Sequence, residues 1–235
     1  MVRSDATWAG QVADRLVAAV MPGSTVCLAT GATTAPLYRE VARRGGLGGA
    51  EVFLLDEFGG LPRDDPGRCL SMLQRDLIEH LDAPTAVHHP DVDAPDPEGA
   101  ASQYGALVRS RQLDLAVVGL GGNGHVGMNE PGSEATSTTR VVELAAETSA
   151  NASRYGATRR PTWGITVGIS ELLAARRLWM VVTGGHKREI LESSLTMPVG
   201  PYLPATHLRL HPHLTVLVDE SAAGSLATGQ LPMDR

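Results

Sequence analysis

The chain has 235 residues, 43% of them hydrophobic, so it can bury a sizeable core, and its length suits one α/β domain spanning 1–235. A formal net charge of −6 without an extended basic run argues against a nucleic-acid surface, and an anionic ligand would have to be met by individual Arg and Lys residues. Two cysteines are too few for a disulfide framework or a zinc cluster; with no leader-like apolar run and no stretch near the ~20 apolar residues of a membrane span, the sequence reads as a reduced, soluble, cytoplasmic protein without a membrane partner.

In chain order, Trp8, Val12, Leu16, Val17 and Val20 recur at helical spacing over 5–21, with Ser4 or Asp5 as N-cap and Pro22-Gly23 as the stop. The segment STVCLAT (24–30) is rich in β-formers and runs into Gly31-Ala32-Thr33-Thr34 before a helix around Leu37 and Val41. A small-residue loop opening a helix offers backbone N–H groups and the positive end of the dipole, which suits a phosphate, although an ordinary βα turn has the same pattern. EVFLLDEF (51–58) predicts a buried strand that delivers Asp56 and Glu57 to its carboxyl end. A carboxylate there is a candidate general base, with capping of the next segment as the alternative. Leu70, Leu73, Leu77, Ile78 and Leu81 predict a core helix over 67–81. His88-His89-Pro90 and the turn formers after it predict a surface loop, and a helix follows over 98–110.

The stretch LDLAVVGLGGNGHVGMNEPGS (113–133) organises the rest. Its apolar start predicts a strand buried on both faces, and Gly119, Gly121, Gly122 and Gly124 then break it among His125, Asn129 and Glu130. That is the form of a catalytic loop at a strand's carboxyl end; the bland reading is a tight turn with a structural histidine. GLGGNG superficially fits a dinucleotide fingerprint, but a polar cluster stands where the pyrophosphate-binding helix should begin. Residues 134–162 show weak periodicity and many small residues, with a weak strand at Val141-Val142, which predicts a mobile cover. Trp163 to Ala175 predicts a strand and a helix, LWMVVT (178–183) another buried strand, and Gly184-Gly185-His186-Lys187 the opening of a helix. A lysine in a first turn opposes the macrodipole, so its position asks for an anion. The final strand is Leu214 to Val218, followed by Asp219-Glu220 and a polar tail.

GNGHVGMNEPGS resembles the signature of hexosamine-6-phosphate deaminases, the glucosamine- and galactosamine-6-phosphate isomerase family, G-x-[DN]-G-H-[IL]-x-x-N-E-P. Four further segments are similar in the same order, and together they span about residues 26–220. ATGATTAPLY resembles the phosphate loop T-G-x-T-P-x-x-x-Y, with Thr34 where the family has Pro. LLDEFGGLPRDDPGRCLS resembles D-E-Y-V-G-L-P-x-x-H-P-x-S-Y, with Phe58, Gly59 and Asp65 replacing Tyr, Val and His. TTRVVELAAETSANASRYG is similar to R-T-R-x-x-x-L-x-x-x-T-x-x-x-N-S-R-F, and RRLWMVVTGGHKREIL to A-x-E-V-x-x-L-V-x-G-x-x-K.

The resemblance implies a three-layer, modified Rossmann-like α/β fold with a largely parallel sheet, and the alternation of strands and helices predicts the same class. It implies ring opening, proton transfer between C2 and C1, and release of the C2 amine as ammonia, acid–base steps that call for no cofactor and no metal. Asp56 falls on the proton-transferring base, His125 on the ring-opening imidazole, and Glu130 on its orienting acid. Backbone amides at Gly31, Ala32 and Thr33, with Arg154 and Lys187, fall on the phosphate grip. Asn123 stands where glucosamine-type members have Asp; N-G-H is similar to the galactosamine-6-phosphate branch. The implied partner is a small phosphorylated amino sugar, a homo-oligomer being allowed. Two rivals remain: a 6-phosphogluconolactonase, whose D-G-H-x-A-S-L-F-P fits Asn129-Glu130-Pro131 poorly, and a non-catalytic sugar-phosphate sensor.

Overall fold

The structure, a computed structural model, describes residues 5–81 and 85–224. The nine strands of the described residues are β1 (Thr25–Leu28), β2 (Glu51–Leu54), β3 (Asp56–Phe58), β4 (Ala86–His88), β5 (Leu115–Gly119), β6 (Arg140–Glu143), β7 (Trp163–Thr166), β8 (Leu178–Val182) and β9 (Leu214–Val218). The helices are α1 (Asp5–Ala19), α2 (Thr34–Arg43), α3 (Cys69–Asp76), α4 (Pro97–Arg111), α5 (Ala146–Asn151), α6 (Ile169–Leu173), α7 (Arg188–Thr196) and α8 (Glu220–Ala223).

Six strands form one parallel sheet in the order β4-β2-β1-β5-β8-β9. Taken along the sheet, this is the 3-2-1-4-5-6 order, with the chain reversing direction between β1 and β5. Crossovers leave on opposite faces there, so a crevice opens at the carboxyl ends of these two strands. The runs of apolar residues are explained by burial on both faces. Val26, Leu28, Val52, Leu54, Leu115 and Val117 pack with Trp8, Leu16, Leu37 and Leu73 of α1 to α3. Their alternates Cys27, Phe53, Ala116 and Val118 face Val108, Leu172 and Leu191 of α4, α6 and α7. Both cysteines are buried and free. Among the described residues, no helix is long and apolar enough to cross a membrane.

A small antiparallel sheet, β3-β7-β6, stands beside the mouth of the crevice. Thr166 of β7 pairs with Asp56 on one side and Arg140 on the other. The chain therefore leaves β2, makes one residue of turn at Leu55 and re-enters a sheet at Asp56. Two sequence expectations change here. The helix expected over 67–81 is α for Cys69–Asp76 and continues as a 3-10 turn at Ile78–His80. His88 lies in edge strand β4 rather than a surface loop, stacked on Phe53 with its Nε2 2.7 Å from Glu51. The weak strand expected at Val141-Val142 is β6, 140–143 of the small sheet, and its weak apolar alternation reflects one half-exposed face. The alternative cap Asp5 is the first residue of α1, while Ser4 and the tail beyond Gly224 lie outside the described residues.

Candidate active site

The loop after β1 is held from below. Tyr38 of α2 reaches back and donates from its buried hydroxyl to the Ala29 carbonyl at 2.6 Å. Gly31 has φ +125°, a conformation that excludes ordinary side chains and lets the chain turn sharply into α2. Thr33 precedes the helix without capping it; its Oγ1 instead lies 3.1 Å from Thr183 Oγ1 at the end of β8. Lys187 follows four residues later, in the 3-10 turn Gly185–Lys187 that leads into α7. It is half-buried, burial pulls its pKa down against the charge of Glu147, and it makes no ion pair among the described residues.

Across the crevice, β5 ends in the catalytic-type loop. The imidazole of His125 lies flat on Gly121, where a Cβ would overlap the ring. His125 Nδ1 is 3.4 Å from Glu130 Oε2 and 3.3 Å from Thr148 Oγ1. Asn123 joins this group from both ends of its amide: Nδ2 donates to Glu130 Oε2 at 2.9 Å, and Oδ1 accepts from the His125 backbone N–H at 3.1 Å. Burial pushes Glu130 up, but hydrogen bonds from His125, Thr148 and Asn123, with the charge of His125, outweigh it and hold the acid at about 2. Glu130 is therefore ionised at neutral pH.

Asp56 faces the same cavity as His125. It is 7% exposed, and burial, reinforced by the neighbouring charge of Glu57, raises its pKa to about 7 despite the opposing effects of Cys69 and His125. A carboxyl balanced near neutrality can give and take a proton at physiological pH. Glu57 was expected beside it and is not there. Successive residues of β3 point to opposite faces, so Glu57 turns inward, 1% exposed, and accepts from Phe58 N, Cys69 N and Leu70 N at 2.8, 2.9 and 2.9 Å. It caps α3 and is consumed by that task. Asp65 likewise serves structure, accepting from the backbone N–H groups of Gly67 and Thr158.

The segment from Ala145 to Tyr155 crosses over both halves. Ala145 N–H donates to Glu130 Oε1 at 3.3 Å, and Tyr155 brings its hydroxyl over Gly31. Arg154 sits on the exposed side of this 3-10 turn, near enough for its charge to act on the Tyr155 hydroxyl. Tyr155 thus ties the turn that carries Arg154 to the Gly31 loop, the Thr33–Thr183 contact brings the turn before Lys187 to the same loop, and Asn123, His125 and Glu130 form a bonded group on the β5 loop across from Asp56. Between them lies a cavity of about 90 Å³ lined by Thr30, Asp56, Phe58, Cys69, His125, Thr148 and Tyr155, among others. A larger open groove of about 540 Å³ near His89 and Asp96 contains no such buried acid–base group.

Sequence reasoning missed Cys69, Thr148 and Tyr155 as cavity residues. Cys69 was assigned to the core because it lies beside an apolar stripe; Thr148 sits in ETSANASRYG, where only Arg154 stood out by charge. Asn129 and Arg140 are girders: Asn129 Nδ2 donates to the Val126 and Val167 carbonyls, both at 2.9 Å, and its Oδ1 accepts from Arg140 Nη1 at 2.9 Å.

Comparison with known proteins places the chain in context. Residues 5–217 match the profile of the family described as glucosamine-6-phosphate isomerases/6-phosphogluconolactonase. The glucosamine-6-phosphate deaminase of Arthrobacter sp. (strain FB24) is 36% identical over 214 residues, covering 87% of this chain and 82% of that protein. A solved monomeric glucosamine-6-phosphate deaminase superposes with a TM-score of 0.88 at 30% identity, over 95% of this chain and 98% of that one. The 6-phosphogluconolactonase of Trypanosoma brucei superposes at 0.75 with 19% identity, over 97% and 98%, a likeness of fold alone.

Proposed function

The chain belongs to the family of glucosamine-6-phosphate isomerases and 6-phosphogluconolactonases, and we propose that within it this protein deaminates a hexosamine 6-phosphate to the ketose 6-phosphate and ammonia. One observation carries the reading: a buried Asp56 with its pKa near 7 shares a small cavity with a His125 whose Nδ1 is held by an ionised Glu130. A lactone hydrolysis needs no carbon acid to be deprotonated. An aldose–ketose shift does, and a desolvated carboxylate suits that step.

In this reading the phosphate sits on the Gly31-Ala32-Thr33 amides between Arg154 and Lys187. His125 transfers the proton of the anomeric hydroxyl to the ring oxygen, opening the pyranose, while Glu130 stabilises the imidazolium in passing. Asp56 takes the C2 proton and returns it to C1, while the C1 oxygen takes the proton given up by the C2 amine through His125 or water, so the C1 aldehyde becomes an alcohol and a C=N bond forms at C2. Water then adds to C2 and the amine leaves as ammonia, so the balance is substrate plus water to ketose 6-phosphate plus ammonia. Asn123 supplies a neutral donor to Glu130. The deaminases matched above act on glucosamine 6-phosphate; the Asn123-Gly124-His125 sequence resembles the galactosamine branch, and both epimers are substrates to compare.

The test is release of ammonia and ketose 6-phosphate from each epimer, with 6-phosphogluconolactone alongside. Ammonia from either amino sugar is expected. Lactone hydrolysis without ammonia release would overturn the proposal, and binding of both sugars without turnover would favour a sensor.

A further inference from the structure

Thr148 is 7% exposed on the short helix α5, and its hydroxyl is turned not to the backbone of its own helix but to His125 Nδ1, 3.3 Å away. The same nitrogen has Glu130 Oε2 at 3.4 Å, and Thr148 is one of the groups whose hydrogen bonds stabilise the Glu130 carboxylate. A hydroxyl both accepts and donates. It can therefore take the Nδ1 proton's hydrogen bond from His125 and pass its own hydrogen to the carboxylate, closing a three-membered group in which Nε2 is left facing no protein partner among the described residues. Gly121 is the floor beneath the ring. The other elements of the group all belong to the β5 loop; Thr148 alone comes from the segment that also carries Arg154 and Tyr155 to the Gly31 loop.

We propose that Thr148 is a positioning residue for His125: its hydroxyl fixes the imidazole's tautomer and tilt, and makes that setting depend on α5 being seated over the crevice. The inference rests on the acid–base role given to His125 above. It links the two ends of the site through one short segment, since whatever draws Arg154 onto a phosphate also presses Thr148 onto the histidine.

Valine matches threonine in shape and lacks the hydroxyl, and serine restores the hydroxyl without the methyl. In Thr148→Val, kcat should fall by about tenfold while KM for glucosamine 6-phosphate stays within about threefold, because the phosphate contacts are untouched. Imidazole NMR on the ligand-free protein should show the His125 pKa lower by about half a unit, the imidazolium having lost an acceptor. Glu130 and, across the cavity, Asp56 also act on that charge, and both are unaltered in either variant. Thr148→Ser should recover both readouts. Wild-type kcat in Thr148→Val, an unmoved His125 titration, or a Thr148→Ser variant as impaired as the valine variant would each overturn the proposal. If the wild-type enzyme itself releases no ammonia, the functional reading fails, and the NMR titration of the two variants still decides the contact.

Discussion

The carboxyl of Asp56 is the residue whose environment has the largest chemical consequence. As burial raises its folded pKa from 3.8 to about 7, kcat/KM should fall with unit slope as pH drops through about 7, where the base becomes protonated. The stability sign is the reverse. Below about pH 4 the group is protonated folded and unfolded alike; between about 4 and 7 the unfolded chain has lost the proton that the folded one keeps, so stability declines as pH rises, by up to about 4 kcal/mol above pH 7. Asp56→Asn should therefore abolish C2 hydrogen exchange in D₂O, yet melt higher than wild type at pH 8 and level with it near pH 4. An equal melting difference at both pH values would contradict this. For the proposed phosphate grip, Arg154→Ala or Lys187→Ala should each remove one charge-assisted contact of roughly 1.5–3 kcal/mol, raising KM about ten- to a hundredfold in steady-state assays. Asn123 is not remote from the imidazole: it touches both Glu130 and the His125 backbone. Asn123→Asp should stay active but set a second carboxylate against Glu130, favouring the imidazolium, so imidazole NMR should show the His125 pKa higher than in the wild type by about one unit.

Elements explain why some of the site was legible beforehand and some was not. The strand–loop–helix rhythm, the Gly-rich end of β5 and the charged candidates all stand out in a linear pattern, because periodicity and glycine placement are local properties. The partition of the two acids of β3 is not local. Asp56 and Glu57 look alike in sequence, and only the insertion of a second sheet, which sets the facing of each residue, sends one to the cavity and the other beneath α3. Thr148 and Cys69 were invisible for a related reason: an uncharged side chain of ordinary type announces no role until a neighbour is brought to it. The edge strand β4 was hidden by its three-residue length. The assignment of Glu57 makes a direct prediction. Glu57→Ala leaves two backbone donors at the start of α3, Cys69 N and Leu70 N, and the Phe58 N–H of β3 without their acceptor, which should cost about 3 kcal/mol or more and lower Tm by roughly 6–12 °C in calorimetry. The same variant should keep an acidic limb set by Asp56, moved to lower pH because the charge of Glu57 no longer reinforces burial. A loss of that limb would return Glu57 to the chemistry.

At the scale of the whole molecule, the parallel sheet fixes where the crevice must lie, and the loops after β1 and β5, with β3, the turn after β8 and the Ala145–Tyr155 segment, supply its groups. Sheet position thus brings together residues as far apart in sequence as Gly31 and Lys187, with no element crossing from one end of the chain to the other. The cavity these parts enclose is about 90 Å³. At about 30 Å³ of liquid volume per molecule, that is room for roughly three waters, whereas sites for drug-sized ligands measure roughly 300–1,000 Å³. A hexose phosphate is larger than this space, so its entry is expected to require that the Ala145–Tyr155 segment, which gives Thr148, Asn151 and Tyr155 to the lining, swing away and lift the Tyr155 hydroxyl from Gly31. Arrival and opening are then separate events with separate clocks. In stopped-flow mixing, the observed binding rate should climb with sugar-phosphate concentration at first and then flatten at a ceiling equal to the opening rate. A strictly linear dependence to saturating concentrations would mean that the door already stands open.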